Sequence, residues 1–197
     1  MVLAHHIIFG LYGFWMPNDP RGSHSDFVGA WDLFRSAGRT TTGRDTLEGL
    51  ATEQLRGTER AALKARLKYP PVRLTGEQAL AVAGGFAQAA RSINLRIAAC
   101  AIMPDHVHLV TVRHTMRIEQ VVIRLKGEAT RSLVRHQCHP LTRFQCEGSR
   151  PPKCFARGEW KSFLGTETEI HSAVNYVRQN PIREGLKAQH WSFEYPV

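Results

Sequence analysis

Apolar residues dominate two stretches, 95-LRIAACAIM-103 and 106-HVHLVTVR-113, that are separated only by Pro104-Asp105. Two strand-like runs joined by a two-residue turn make a tight hairpin signal. Another strand is expected at 4-AHHIIFGLYGF-14, which runs into the turn-rich WMPNDPRGSHSD. Elsewhere the period is helical. Leu80, Ala83, Ala87 and Ala90 mark one face of 76-GEQALAVAGGFAQAARS-92; Thr75 is placed to cap it, and the Gly84-Gly85 pair works against it. Ile118, Val122, Leu125, Ala129 and Leu133 stripe a longer helix over 116–136, closed by Pro140. A short strand fits 154-CFARGEWKSFL-164. The last helix, 166-TETEIHSAVNYVRQNP-181, opens with capping-box spacing at Thr166 and Glu169 and carries Ile170, Ala173, Val174 and Val177 on one stripe.

The order is strand, helix, strand, strand, helix, strand and a terminal helix. It predicts an α+β, ferredoxin-like (split βαβ) antiparallel sheet with helices on one face, followed by a C-terminal helix. A single domain over 1–197 is expected, with a loop and helix insertion at about 25–74. Within that insertion, 58-TERAALKARLKY-69 is helix-compatible until Pro70-Pro71 stops it.

Composition changes this picture at one point. The chain has 197 residues, 43% hydrophobic and 22% charged, as in an ordinary globular protein. Its 26 Lys+Arg against 17 Asp+Glu leave a net charge of +9, however, which makes a polyanion, nucleic acid first, the partner to test. Four cysteines in a chain this long are not a secreted disulfide framework. The N-terminus lacks a basic region and a small-residue cleavage site, and no apolar run approaches the ~18 residues of a membrane span. A cytoplasmic protein with no membrane association is expected.

Candidate chemistry begins at the hairpin. Side chains alternate along a strand, so His106 and His108 share a face, roughly 7 Å apart along the backbone, where two imidazoles can converge on one divalent ion. The same spacing also suits two surface histidines on a half-exposed strand. The terminal helix offers a third ligand and a reacting group. Tyr176 and Asn180 are four apart, about 40° around a helix, while Gln179 points about 100° away from Asn180. Tyr176 falls at the boundary of the apolar stripe, a place that serves packing as well as chemistry.

In sequence, MPDHVHLV resembles the histidine motif of the HUH single-tyrosine transposases, the group that includes the REP-associated tyrosine transposases. NYVRQNPIREGL resembles that family's nucleophile helix. AHHIIFGLYGFWMPNDPRGS, RLKGEATRSL and FARGEWKSFL agree in the same order, so the resemblance covers roughly 5–22 and 75–187; the span 25–74 matches no part of it. The resemblance implies that His106 and His108 bind Mg2+ or Mn2+, that Asn180 is the third ligand with Gln179 as a minor alternative, and that Tyr176 is the nucleophile. It also implies the same ferredoxin-like fold, a nucleoid-associated location and a single-stranded or hairpin DNA substrate cleaved through a 5′-phosphotyrosine. One tyrosine cuts one strand, so complete strand exchange needs two sites, which a homodimer would supply.

No G-x-x-x-x-G-K-[ST] loop occurs, in keeping with a transesterification that needs no ATP. Arg117, Arg124, Arg131 and Arg135 lie within about 40° of one another on the long helix, a line of guanidiniums able to follow phosphates, with Glu128 among them. Two rival readings stand beside the transesterase: a non-catalytic nucleic-acid-binding module of the same fold, and a metal hydrolase that uses the histidine pair with water. Other signals are weaker. Cys138, Cys146 and Cys154 lack the close pairing of a zinc site. His5-His6 reads as ordinary sheet surface, with a position near the site as the alternative, Asp105 as a turn residue, and Trp15, Trp31, Trp160 and Trp191 as packing residues that could stack on bases.

Overall fold

The structure, a computed structural model, describes residues 1–14, 61–62 and 64–197. Most of the expected insertion, with Trp15 and Trp31, lies outside the described residues. In the part that is described, 61–62 and 64–65 are helical, and the chain then turns toward Pro70-Pro71.

Strand β1 (Ala4–Gly10) leads into this region. Helix α1 (Gly76–Ile93), strands β2 (Ile97–Ile102) and β3 (His106–Val112), helix α2 (Ile118–Arg135), strand β4 (Trp160–Leu164) and helix α3 (Glu167–Arg183) follow. The strands form one sheet in the order β2-β3-β1-β4, each antiparallel to its neighbours. This is the split βαβ arrangement that the element order implies.

Both expected N-caps are present. Thr75 and Gln78 close a capping box on α1, and Thr166 and Glu169 close one on α3. Two ends differ from the sequence expectation. The first strand stops at Gly10 rather than running to Phe14, and β4 occupies only the second half of 154–164. Helix α3 also runs two residues past its expected end at Pro181, to Arg183. The proline sits in the last turn, where the bonds that remain, Glu184 N–H to Asn180 O (3.2 Å) and Leu186 N–H to Pro181 O (2.8 Å), carry the chain past it.

The sheet separates two layers. Ile7, Phe9, Val107 and Leu109 point toward α1 and α2 and form the larger core with Phe86, Val122, Leu125 and Leu133. The helices cross tightly at Gly85, where an added Cβ would lie 2.5 Å from the Ala129 Cα. Glycine at this position, which weakens the helix locally, is therefore required by packing. On the opposite face Ala4, Ala101, Met103 and Val110 receive Ala173, Val174 and Val177 of α3.

Two polar anchors fix what surrounds the sheet. Lys126 of α2 is partly buried and donates to Ala156 O (3.0 Å) and Gly158 O (2.7 Å), tying down the segment that enters β4. Its burial pulls its pKa down to about 8. After α3 the chain runs beside the outer edge of β2. There the Gln189 amide bonds both backbone groups of Ile102, the Trp191 indole donates to Cys100 O, and Glu194 accepts from Cys100 N–H. Edge groups that could pair with another chain are thus satisfied by side chains. Among the described residues, no helix is long and apolar enough to cross a membrane.

Candidate active site

The register of β1 against β3 decides which side chains meet. Gly10 faces His106, Ile8 faces His108 and His6 faces Val110. Alternation then places His6, His106 and His108 on the face that α3 covers. Their rings form a chain. His6 Nε2 lies 3.3 Å from His108 Nδ1, and His108 Nε2 lies 2.9 Å from His106 Nε2. His106 Nδ1 continues the chain to Asp105 Oδ1 at 2.8 Å, and the other Asp105 oxygen accepts from Arg73 at 3.3 Å.

Aromatic rings hold the chain in place. Phe14 stacks on His106 with centroids 4.7 Å apart. Gly10 leaves room for that ring, because a Cβ there would come within 2.7 Å of Phe14 Cδ1. Trp160 meets His6 edge-on at 5.3 Å. Tyr176, projecting from α3, meets both His6 (5.7 Å) and His108 (5.6 Å) in T-shaped contacts and is 42% exposed. The Arg183 guanidinium lies 5.7 Å from the Tyr176 ring centre. The tyrosine is thus anchored on one side by imidazoles and open on the other to solvent.

His108 is 4% exposed and His6 8%. Desolvation lowers the pKa of His6 to about 4; desolvation, then the neighbouring His106 and His6, lowers that of His108 to about 3. Both rings are therefore neutral near pH 7, the form in which an imidazole offers a lone pair.

Three of the sequence candidates, His106, His108 and Tyr176, come together. Asn180 lies one turn beyond Tyr176, and its buried amide nitrogen has no hydrogen-bond partner. Gln179 is exposed. A divalent ion fits this set: two imidazole nitrogens already face each other, and an unsatisfied amide, whose oxygen and nitrogen exchange by a flip, stands on the adjacent helix. Among the described residues, no group of three or more His, Cys, Asp or Glu is arranged to hold a metal.

The arginine stripe lies elsewhere. Arg117, at the N-cap of α2, and Arg124, Arg131 and Arg135 on the helix are exposed, in the layer on the far side of the sheet from the histidines. Arg131 is engaged by Glu128, and Arg117 lies 3.8 Å from Glu119. Two residues of the cluster differ from the leading sequence reading. His6 takes the alternative position near the site rather than that of ordinary sheet surface, and Asp105 holds a ring as well as making a turn. The adjacent pair His5-His6 was the available signal, since alternation puts one of the two on the face of the motif.

The family described as "Transposase IS200 like" matches residues 64–180, a span that contains both motif histidines, Tyr176 and Asn180. No curated protein matches the chain. Among solved structures, one similar chain is a REP-associated tyrosine transposase bound to a REP hairpin. It is 11% identical over 94% of this chain and 70% of that chain, with a TM-score of 0.49. Another is a candidate transposase from Deinococcus radiodurans R1, 14% identical over 95% of this chain and 94% of that chain, with a TM-score of 0.42.

Proposed function

The chain belongs to the IS200-like transposase family, and from that premise we propose that it cleaves and rejoins single-stranded DNA with Tyr176 as nucleophile and a divalent ion held by His106, His108 and Asn180. The observation that carries this reading is the contact of the Tyr176 ring with His108, whose Nε2 meets His106 Nε2 at 2.9 Å. Nucleophile and ligand pair belong to one chain. A protomer therefore holds a whole cleavage site, and a homodimer would supply the second site that strand exchange needs.

Two neutral imidazoles and an amide add no negative charge, so an ion bound by them keeps its own. When bound, Mg2+ or Mn2+ would supply Lewis-acid stabilisation of the scissile phosphate. The Tyr176 hydroxyl loses its proton as its oxygen attacks phosphorus. The P–O3′ bond breaks, the departing oxygen takes a proton, and the 5′ phosphate remains on the tyrosine as a phosphodiester. Because that bond is exchanged rather than hydrolysed, attack by a new 3′-hydroxyl reverses the step. The Arg183 guanidinium beside the ring is suited to the phosphate charge, and the +9 net charge to the DNA backbone. The motif resemblance to REP-associated enzymes supports hairpin-bearing DNA as the substrate.

The test is to incubate the protein with labelled, hairpin-flanked single-stranded DNA and Mg2+ or Mn2+, and to look for a covalent adduct. An adduct is expected with the wild type and none with Tyr176→Phe. Binding without an adduct would favour the non-catalytic module, and cleavage that persists in Tyr176→Phe would favour a water-using hydrolase.

A further inference from the structure

His6 lies outside the residues that match the family, yet it is the third imidazole of the cluster. We propose that His6 is a positioning residue for the metal pair: its Nε2 accepts a hydrogen bond from His108 Nδ1 and thereby keeps the His108 Nε2 lone pair facing the ion. This rests on the reading of His106 and His108 as ligands.

The argument follows from what a neutral imidazole can do. It has one N–H and one lone pair. If His108 gives its Nε2 lone pair to a cation, its hydrogen sits on Nδ1 and must be donated. The ring is 4% exposed, so water is a poor recipient, and the group that faces Nδ1 is His6 Nε2 at 3.3 Å. His6 then carries its own hydrogen on Nδ1. The same relation holds at His106, where Asp105 Oδ1 stands 2.8 Å behind Nδ1 while Nε2 points to the meeting point. Each ligand ring thus has an acceptor behind it, a carboxylate for the more open histidine and a neutral imidazole for the buried one. A second carboxylate behind His108 would have to be desolvated at high cost, whereas an imidazole accepts without charge. His6 does not reach the ion itself, because its Nε2 faces the far nitrogen of His108. Trp160 and Tyr176 pack on its ring and hold it there. Acceptors behind metal-binding histidines fix tautomer and orientation, and their loss typically costs ~10–100-fold in affinity.

The experiment measures Mn2+ binding to the full chain, by the electron paramagnetic resonance of free Mn2+, for wild type, His108→Ala, His6→Phe and His6→Gln. His6→Phe keeps the aromatic packing and removes the acceptor, so a loss of ~10–100-fold is expected. His6→Gln places an amide oxygen near the lost nitrogen and should recover most of the affinity. Unchanged affinity in His6→Phe overturns the assignment of His6. A wild type that does not bind Mn2+, or a His108→Ala variant that binds it equally well, overturns the ligand reading and this inference with it. Should His6→Phe not fold, nitrogen-15 spectra of the Mg2+-loaded wild type decide the matter. Hydrogen on Nδ1 of both His6 and His108 is expected, and hydrogen on Nε2 of His6 contradicts the proposal.

Discussion

The two faces of the sheet are built from different materials. Toward α1 and α2 the sheet presents Ile7, Phe9, Val107 and Leu109, large side chains interlocked with Phe86, Leu125 and Leu133. Toward α3 the apolar contact consists mainly of alanine and valine, and beyond it lie three histidines, a tryptophan and a half-exposed tyrosine. The first face is made for cohesion. The second uses small residues so that α3 rides close to the sheet, bringing the Tyr176 ring within contact of imidazoles that the first face could not tolerate. The large apolar core and the histidine–tyrosine cluster thus lie on opposite sides of the same strands, because alternation gives each strand two independent surfaces.

This contrast can be sharpened by acid. The folded pKa values of His6 and His108 are depressed to about 4 and about 3 from an ordinary 6.5. Between pH 6.5 and 4 the unfolded chain therefore binds more protons, and stability falls as pH falls through that window. For His6 alone the loss is on the order of 3 kcal/mol at ~1.4 kcal/mol per pKa unit. Denaturant unfolding of metal-free protein at pH 7 and pH 4 measures it, and His6→Phe should flatten the dependence. An equally steep dependence in that variant would show that the acid sensitivity resides elsewhere.

A smaller effect is expected from the first face. Gly85→Ala drives a methyl into the Ala129 backbone and should destabilise the protein by about 2 kcal/mol, as overpacking does. The adjacent Gly84→Ala meets only Ser132 Oγ at 3.7 Å and should gain up to about 1 kcal/mol of helix propensity. Thermal unfolding of the pair distinguishes them, and equal shifts would remove the close crossing from the account. The smallest effect is assigned to the arginines of α2, which do not face the site. Replacing Arg124 and Arg131 by Ala should weaken DNA binding and lower the salt slope by about 1–2, leaving cleavage within the bound complex intact. Unchanged affinity and slope would take them out of the interface.

What the sequence discloses follows how local each determinant is. Helices α1 and α2 and the hairpin appear within a residue or two of their observed ends, since their periodicity and caps are local. His106, His108 and Tyr176 were legible through spacing and motif. His6 was legible only as the second reading of a pair, because the choice between His5 and His6 depends on β1 pairing with β3, about a hundred residues away, in a register with Ile8 opposite His108. The arginines were legible as a stripe, whereas the layer carrying that stripe is set by how α2 packs on the sheet. The segment bearing Gln189, Trp191 and Glu194 has no period at all, because it meets the edge of β2 largely through side chains.

The central claim is that the α3 face joins a tyrosine nucleophile to a histidine pair within one chain. Its most direct measurement is peptide mapping of the covalent adduct formed on hairpin-flanked single-stranded DNA in Mn2+. The account predicts one modified peptide, with the nucleotide attached at Tyr176. A nucleotide on any other residue, or cleavage with no protein-linked product, would contradict it.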